Sequence, residues 1–125
     1  MNKVEACLTE IGVPANIQGF GYLCDAIYLV AGDRRIGSQR TKRLYPEVAE
    51  KNETTGSRVE RSIRHAIEVA FNHANATIIP KYFGNVIDPN RGKPTNSQFI
   101  ASVVLHLKDE LEEEQKNSNP SKEAC

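Results

Sequence analysis

Residues 54–72 read TTGSRVERSIRHAIEVAFN, Thr54 to Asn72. At about 100° per residue, Val59, Ile63, Ala66, Ile67, Ala70 and, just beyond, Ala74 share one stripe, which predicts a helix packed on a core. Arg58, Arg61, Arg64, His65 and Glu68, with Ser57, fall on the other side. A rigid rod then points three arginines and a histidine at solvent, which suits a partner carrying negative charge. Composition alone equally allows an ordinary solvated face.

The approach to this helix narrows the choice. Thr54, Thr55 and Ser57 each offer a side-chain oxygen as N-cap, and Ser57 with Glu60 has capping-box spacing. Gly56 stands where a tight turn calls for an unusual backbone angle. Upstream, residues 45–51, YPEVAEK, read as a short helix with Pro46 in its first turn. A short helix, a turn and a longer basic helix form the helix-turn-helix pattern. Arg40, Lys42 and Arg43 precede the short helix and flank the basic one, as phosphate contacts or as plain surface charge.

Outward from this centre the chain reads as helix throughout. Residues 2–11 carry Val4, Leu8 and Ile11 on one face, closed by Gly12 and Pro14. Residues 20–31 repeat Phe20, Leu23, Cys24, Ile27, Val30 and Ala31 at helical spacing. Residues 77–83, TIIPKYF, form a short helix before Gly84, and 85–94 are a loop rich in Gly, Pro, Asn and Asp. Residues 95–114 form the last helix, with Thr95 or Asn96 as cap and Phe99, Ile100, Val103, Val104, Leu107 and Leu111 as its apolar stripe. Its acidic end opposes the helix dipole. No stretch alternates with the period of two that a half-buried strand needs. The expected fold is all-α, about six helices with a helix-turn-helix, as one domain over 1–116 and a disordered polar tail over 117–125.

The 125 residues suffice for one domain with a core. Sixteen Lys and Arg balance sixteen Asp and Glu, yet the distribution is uneven. From Arg34 to Arg64 nine basic residues face four acids, and from Lys108 to Cys125 three face six. This basic middle and acidic end concern partners and steering rather than fold. Cys7, Cys24 and Cys125 make an odd number, no two of them in a C-x-x-C, so a reduced cytoplasmic protein without structural disulfide is expected. No apolar run approaches a membrane span, so no membrane partner is expected.

His65, His73 and His106 have no Cys or His at metal-ligand spacing, and Gly19-Phe-Gly21 lacks the remainder of a phosphate-binding loop. His65, Glu60 and Glu68 share a helix but have no nucleophile or metal beside them. Neither an enzyme nor a bound cofactor is expected.

TTGSRVERSIRHAIEVAF resembles the recognition-helix signature of the stage zero sporulation protein A family, the sporulation-initiation response regulators. LYPEVAEK resembles that family's preceding helix, FG followed by KPTNSQFIA its late helices, and IGVPANIQGFGYL its first segment. The resemblance spans roughly residues 3 to 112. It implies a helical effector domain of about six helices that reads a double-stranded DNA box of the form TGTCGAA, with copies arranged in tandem on DNA. In the family an Arg, a Glu and a second Arg at the start of the recognition helix read bases, and they match Arg58, Glu60 and Arg61. The chemistry agrees: Arg suits guanine O6 and N7, Glu accepts from cytosine N4, and the box holds a C-G step. Ser57, Arg64 and His65, with Arg40 and Lys42 upstream, are assigned to the phosphate backbone.

Three departures accompany the resemblance. The family's regulator has an N-terminal receiver domain with a phosphoacceptor aspartate, whereas here Met1 stands almost at the effector domain, so the sequence is either a piece of a longer protein or a receiver-less relative. Binding without phosphorylation, tighter on two adjacent boxes than on one, is therefore expected. Gly56 replaces an Ala. Residues 85–91, NVIDPNR, depart from the family pattern, which bears on contacts made there, including those to RNA polymerase. The alternative function is a receiver-less interaction protein that pairs with a full-length regulator and modulates it.

Overall fold

The computed structural model describes residues 2–32, 40–72, 77–84, 87, 90 and 92–117. They form six helices: α1 (Lys3–Ile11), α2 (Gln18–Gly32), α3 (Arg40–Lys51), α4 (Gly56–Asn72), α5 (Ile78–Phe83) and α6 (Asn96–Asn117). Among the described residues there is no strand, and the fold is all-α.

α1 begins and ends as its sequence dictates. Asn2 Oδ1 accepts from the Glu5 amide at 2.8 Å, and Glu5 Oε1 accepts from the Asn2 amide at 3.2 Å. This reciprocal pair satisfies two amides that the helix leaves open. At the other end Gly12 takes φ 115°, and its N–H reaches Leu8 and Thr9 carbonyls at 3.1 Å. That left-handed cap costs a glycine nothing.

α2 is the hub. It packs against α1, α3, α4 and α6, and Leu23, Ala26 and Ile27 on it are fully buried. α4 lays Val59, Ile63, Ala66, Ile67 and Ala70 into the same core, the stripe expected from its periodicity; Ala74 lies outside the described residues. Phe71, Phe83 and Phe99 join α4, α5 and α6, with ring centroids 5.3 to 6.5 Å apart in tilted or edge-on arrangements that aromatic quadrupoles favour. Cys7 is buried and Cys24 partly so, both as small apolar fillers. Burial pushes the Cys24 thiol up to about 12.

Two boundaries differ from the sequence reading by more than two residues. α3 starts at Arg40, not at Tyr45, which puts Pro46 inside it. Leu44 and Val48, four residues apart and fully buried, extend the apolar stripe upstream. As the seventh residue of α3, Pro46 lacks the N–H that would bond the Lys42 carbonyl, a gap in the ladder past the first turn. α6 runs to Asn117, so the acidic end remains helical and the first residue of the tail expected over 117–125 is helix; residues 118–125 lie outside the described residues. Among the described residues no helix is long and apolar enough to cross a membrane.

Candidate nucleic-acid interface

α3 stops on a left-handed residue, but that residue is Glu53 and not Gly56. Glu53 has φ 54°. The Thr54 amide bonds the Ala49 carbonyl at 2.9 Å and the Glu53 amide bonds the Glu50 carbonyl at 3.4 Å, which is the paired pattern of a Schellman end. Gly56 has no positive φ and is simply the first residue of α4. Thr55 is the N-cap: its Oγ1 accepts from the Arg58 amide at 3.2 Å, and its carbonyl takes the first helical bond, from Val59, at 3.0 Å. The Ser57–Glu60 capping box does not form, because Ser57 already lies inside the helix.

The turn is braced from α2. Asp25 Oδ1 accepts from Lys51 Nζ and Asp25 Oδ2 from Asn52 Nδ2, both at 2.9 Å. Asn52 Nδ2 also donates to the Val48 carbonyl at 2.8 Å. One carboxylate thereby fixes the last turn of α3 and the first residue after it. On the opposite side Asn96 Nδ2, at the start of α6, donates to Tyr45 Oη at 3.2 Å and to the Glu60 carbonyl at 3.1 Å.

On this frame α4 presents its polar face. Ser57, Arg58, Arg61, Arg64 and His65 are all exposed. Arg61 lies near the middle of that face by helical geometry, with Arg58 and His65 to one side and Ser57 and Arg64 to the other. Arg58 and Arg61 have no ion-pair partner among the described residues. Arg64 differs: its Nη1 bonds Glu60 Oε1 at 3.1 Å. Glu60 is half-buried on the flank facing α6, its side chain 36 % exposed against 54 % for Arg64.

Glu60, Arg64 and Glu68 line a groove of about 350 Å³ with Tyr45, Lys93 and the start of α6. Lys93 Nζ lies 3.3 Å from Glu68 Oε1 across it. The flank toward α6 is thus charge-balanced, while the opposite edge carries arginine without an ion-pair partner among the described residues. Arg43, in α3, pairs with Glu47 at 3.1 Å. Arg40 and Lys42 begin the same helix, but their side chains lie outside the described residues. Among the described residues no His, Cys, Asp and Glu group is arranged to hold a metal ion.

A helix-turn-helix braced on both sides, with bare arginines in the first turns of its second helix, is a device for entering a groove of DNA. Comparison with known families gives the same direction. The family described as "Sporulation initiation factor Spo0A C terminal" matches residues 4–107. The chain belongs to that family. It is therefore a member of a family of DNA-binding regulators of sporulation initiation, and its all-helical architecture agrees with that membership.

Sequence reasoning located α4 and its basic face but missed three residues that position them. Gly19 lies against α4 so closely that a Cβ there would be 2.3 Å from the Ser62 carbonyl oxygen. Its only sequence signal was a small residue at the start of an apolar helix. Asp25 was hidden on the polar side of the same helix. Asn96 looked like one of two candidate caps for α6. Thr95 does the capping, its Oγ1 accepting from the Gln98 amide at 3.1 Å while its own amide donates to Gln98 Oε1 at 2.9 Å.

Proposed function

We propose that this chain regulates transcription by reading a TGTCGAA-like box, with α4 in the major groove. The observation that carries this reading is the placement of Arg58 and Arg61, exposed and without an ion-pair partner among the described residues, in the first turns of a braced second helix. Arginine in that position reads guanine through O6 and N7. Glu60, on the flank toward α6, offers a carboxylate oxygen to a cytosine N4 amino group once Arg64 turns away to a phosphate. Ser57, Arg64 and His65, with Arg40 and Lys42, contact the backbone and fix the register.

One such domain makes few base contacts, so neighbouring copies on adjacent boxes strengthen each other, and RNA polymerase is the partner through which binding acts on transcription. The protein works in the cytoplasm and performs no catalysis.

The test is a fluorescence-anisotropy titration of box and scrambled duplexes at two salt concentrations. The box duplex is expected to bind at least about a hundredfold tighter, with affinity for both falling steeply with salt. Equal affinities would overturn box recognition. Binding to a full-length regulator of this family with no preference for the box would instead favour the interaction-protein reading.

A further inference from the structure

We propose that Asn96 is a positioning residue for base reading, locking α4 to α3 and α6 through the backbone between Arg58 and Arg61; this rests on the DNA reading proposed above. The geometry is specific. Asn96 Nδ2 donates to the Glu60 carbonyl at 3.1 Å and to Tyr45 Oη at 3.2 Å. An amide NH2 has two hydrogens, and here both are used. The Glu60 carbonyl has two lone pairs, one engaged by the helical ladder of α4. Asn96 takes the other and grips the main chain of α4 from outside.

The grip is itself rigid. Asn96 is the first residue of α6. Its backbone is set by the reciprocal Thr95–Gln98 pair, at 2.9 and 3.1 Å, and Pro94 before it is buried. α6 in turn is nailed into the core by Phe99, Ile100 and Val103, all fully buried. The donor is thus fixed to the core of the domain and not to a mobile loop. An Asn at this place does nothing for the cap of α6, which Thr95 supplies. Its side chain is spent on the helix that carries the readers.

Position matters more for bases than for phosphates. A bidentate arginine–guanine contact is lost when the side chain is displaced by a fraction of a hydrogen-bond length, because hydrogen bonds weaken steeply with angle. Charge–phosphate attraction tolerates such displacement. Releasing α4 from Asn96 therefore lowers discrimination while leaving non-specific binding in place.

The experiment compares wild type, Asn96→Ala, Asn96→Asp and Asn96→Gln. Asn96→Asp is nearly isosteric and favourable at a helix N-terminus, but sets an acceptor against the Glu60 carbonyl. Asn96→Gln keeps the donor on a longer arm. Box and scrambled duplexes are titrated, and amide hydrogen exchange of α4 is followed in the free proteins. Expected are an approximately tenfold lower box-to-scrambled ratio for Asn96→Ala and Asn96→Asp, partial recovery for Asn96→Gln, and faster exchange in the first turns of α4 in the two donor-less variants. A purely structural role would reduce both affinities in proportion to the folded fraction and leave the ratio unchanged, which overturns the proposal. Unchanged exchange in Asn96→Ala overturns the lock even if wild type reads the box. Absence of box preference in wild type overturns the DNA reading itself, and that titration involves no Asn96 variant.

Discussion

Gly19 in α2 and Ser62 in α4 meet so closely that a Cβ on Gly19 would lie 2.3 Å from the Ser62 carbonyl oxygen and 2.7 Å from the Ala66 Cβ. The nearest obstacle is backbone inside a helix, which has no rotamer by which to escape. Gly19→Ala must push α4 away from α2, and overpacking of that kind costs about 1–3 kcal/mol. Urea unfolding monitored by circular dichroism gives the number. On the DNA reading proposed above, in which α4 enters the groove, box affinity is expected to fall with it. A variant as stable as wild type would show that the two helices are not so tightly apposed.

Arg58→Ala and Arg61→Ala are each expected to weaken box binding by about 1–3 kcal/mol and to relax base preference at one position. Both side chains are exposed and lack an ion-pair partner among the described residues, so truncation leaves no orphaned acid behind. Titration against a panel of single-base box variants checks this. Equal losses on box and random DNA would remove them from base reading.

Arg64 and Glu60 are coupled by their 3.1 Å ion pair, and each variant reports on the other. Arg64→Ala is expected to lower affinity on all sequences and to reduce the salt slope by roughly one unit. Glu60→Gln releases Arg64 and removes a negative charge from beside the basic face, so affinity for random DNA is expected to rise. If Glu60 also reads cytosine, its box preference falls in the same variant. The pair is half exposed, so the stability change in either variant is expected to stay within about 1 kcal/mol. A salt slope unchanged in Arg64→Ala would rule out its phosphate contact.

The helices were legible because their apolar residues repeat with the helical period and their ends carry strong caps. Gly12 and Thr95 are backbone or side-chain devices that act within four residues. The exposed basic face of α4 was legible for the same reason, since Arg58, Arg61 and Arg64 follow from the phase of Val59, Ile63 and Ala66. What could not be read was whatever acts across the chain. Asp25 holds Lys51 and Asn52, and Asn96 holds Tyr45 and Glu60; such partners are far apart in sequence and have no local pattern. The start of α3 was misplaced because Pro46 suits a first turn locally, while burial of Leu44 carries the helix past it.

The turn before α4 shows the same limit and yields a stability prediction. Local chemistry assigned the unusual backbone angle to Gly56, but the structure puts it at Glu53, with φ 54°. Gly56 is an ordinary helical residue, and a Cβ on it would meet Tyr45 and Pro46 backbone atoms at 3.7 Å, normal contact distance. Gly56→Ala restricts the unfolded chain without strain in the folded one. It is expected to stabilise the domain by about 0.4–1 kcal/mol, read from the urea midpoint, with DNA affinity unchanged or improved. Destabilisation would mean that the close approach of α3 and α4 requires glycine.

The last prediction concerns acid sensitivity where α1 meets α5. Glu10 Oε1 accepts from Tyr82 Oη at 2.6 Å and from Lys81 Nζ at 3.0 Å, and the Tyr82 ring lies 4.2 Å from that of His106, centroid to centroid. The Tyr82 hydroxyl first, then the Lys81 ammonium, hold the Glu10 carboxyl below its usual 4.5. The same hydrogen bond, together with desolvation as the larger cause, pushes the Tyr82 phenol upward. A carboxyl whose folded pKa lies below its unfolded value binds fewer protons when folded than when unfolded. Its contribution to stability is then fully present above the unfolded value and is lost as pH falls through the folded one. Wild type should therefore lose more stability than Glu10→Gln between roughly pH 6 and pH 3, whereas Glu10→Gln should be the less stable of the two at neutral pH. Urea midpoints of both proteins at four pH values across this range make the comparison. Parallel pH profiles for the two would show that this carboxylate, exposed as it is, contributes nothing to holding α5 against α1.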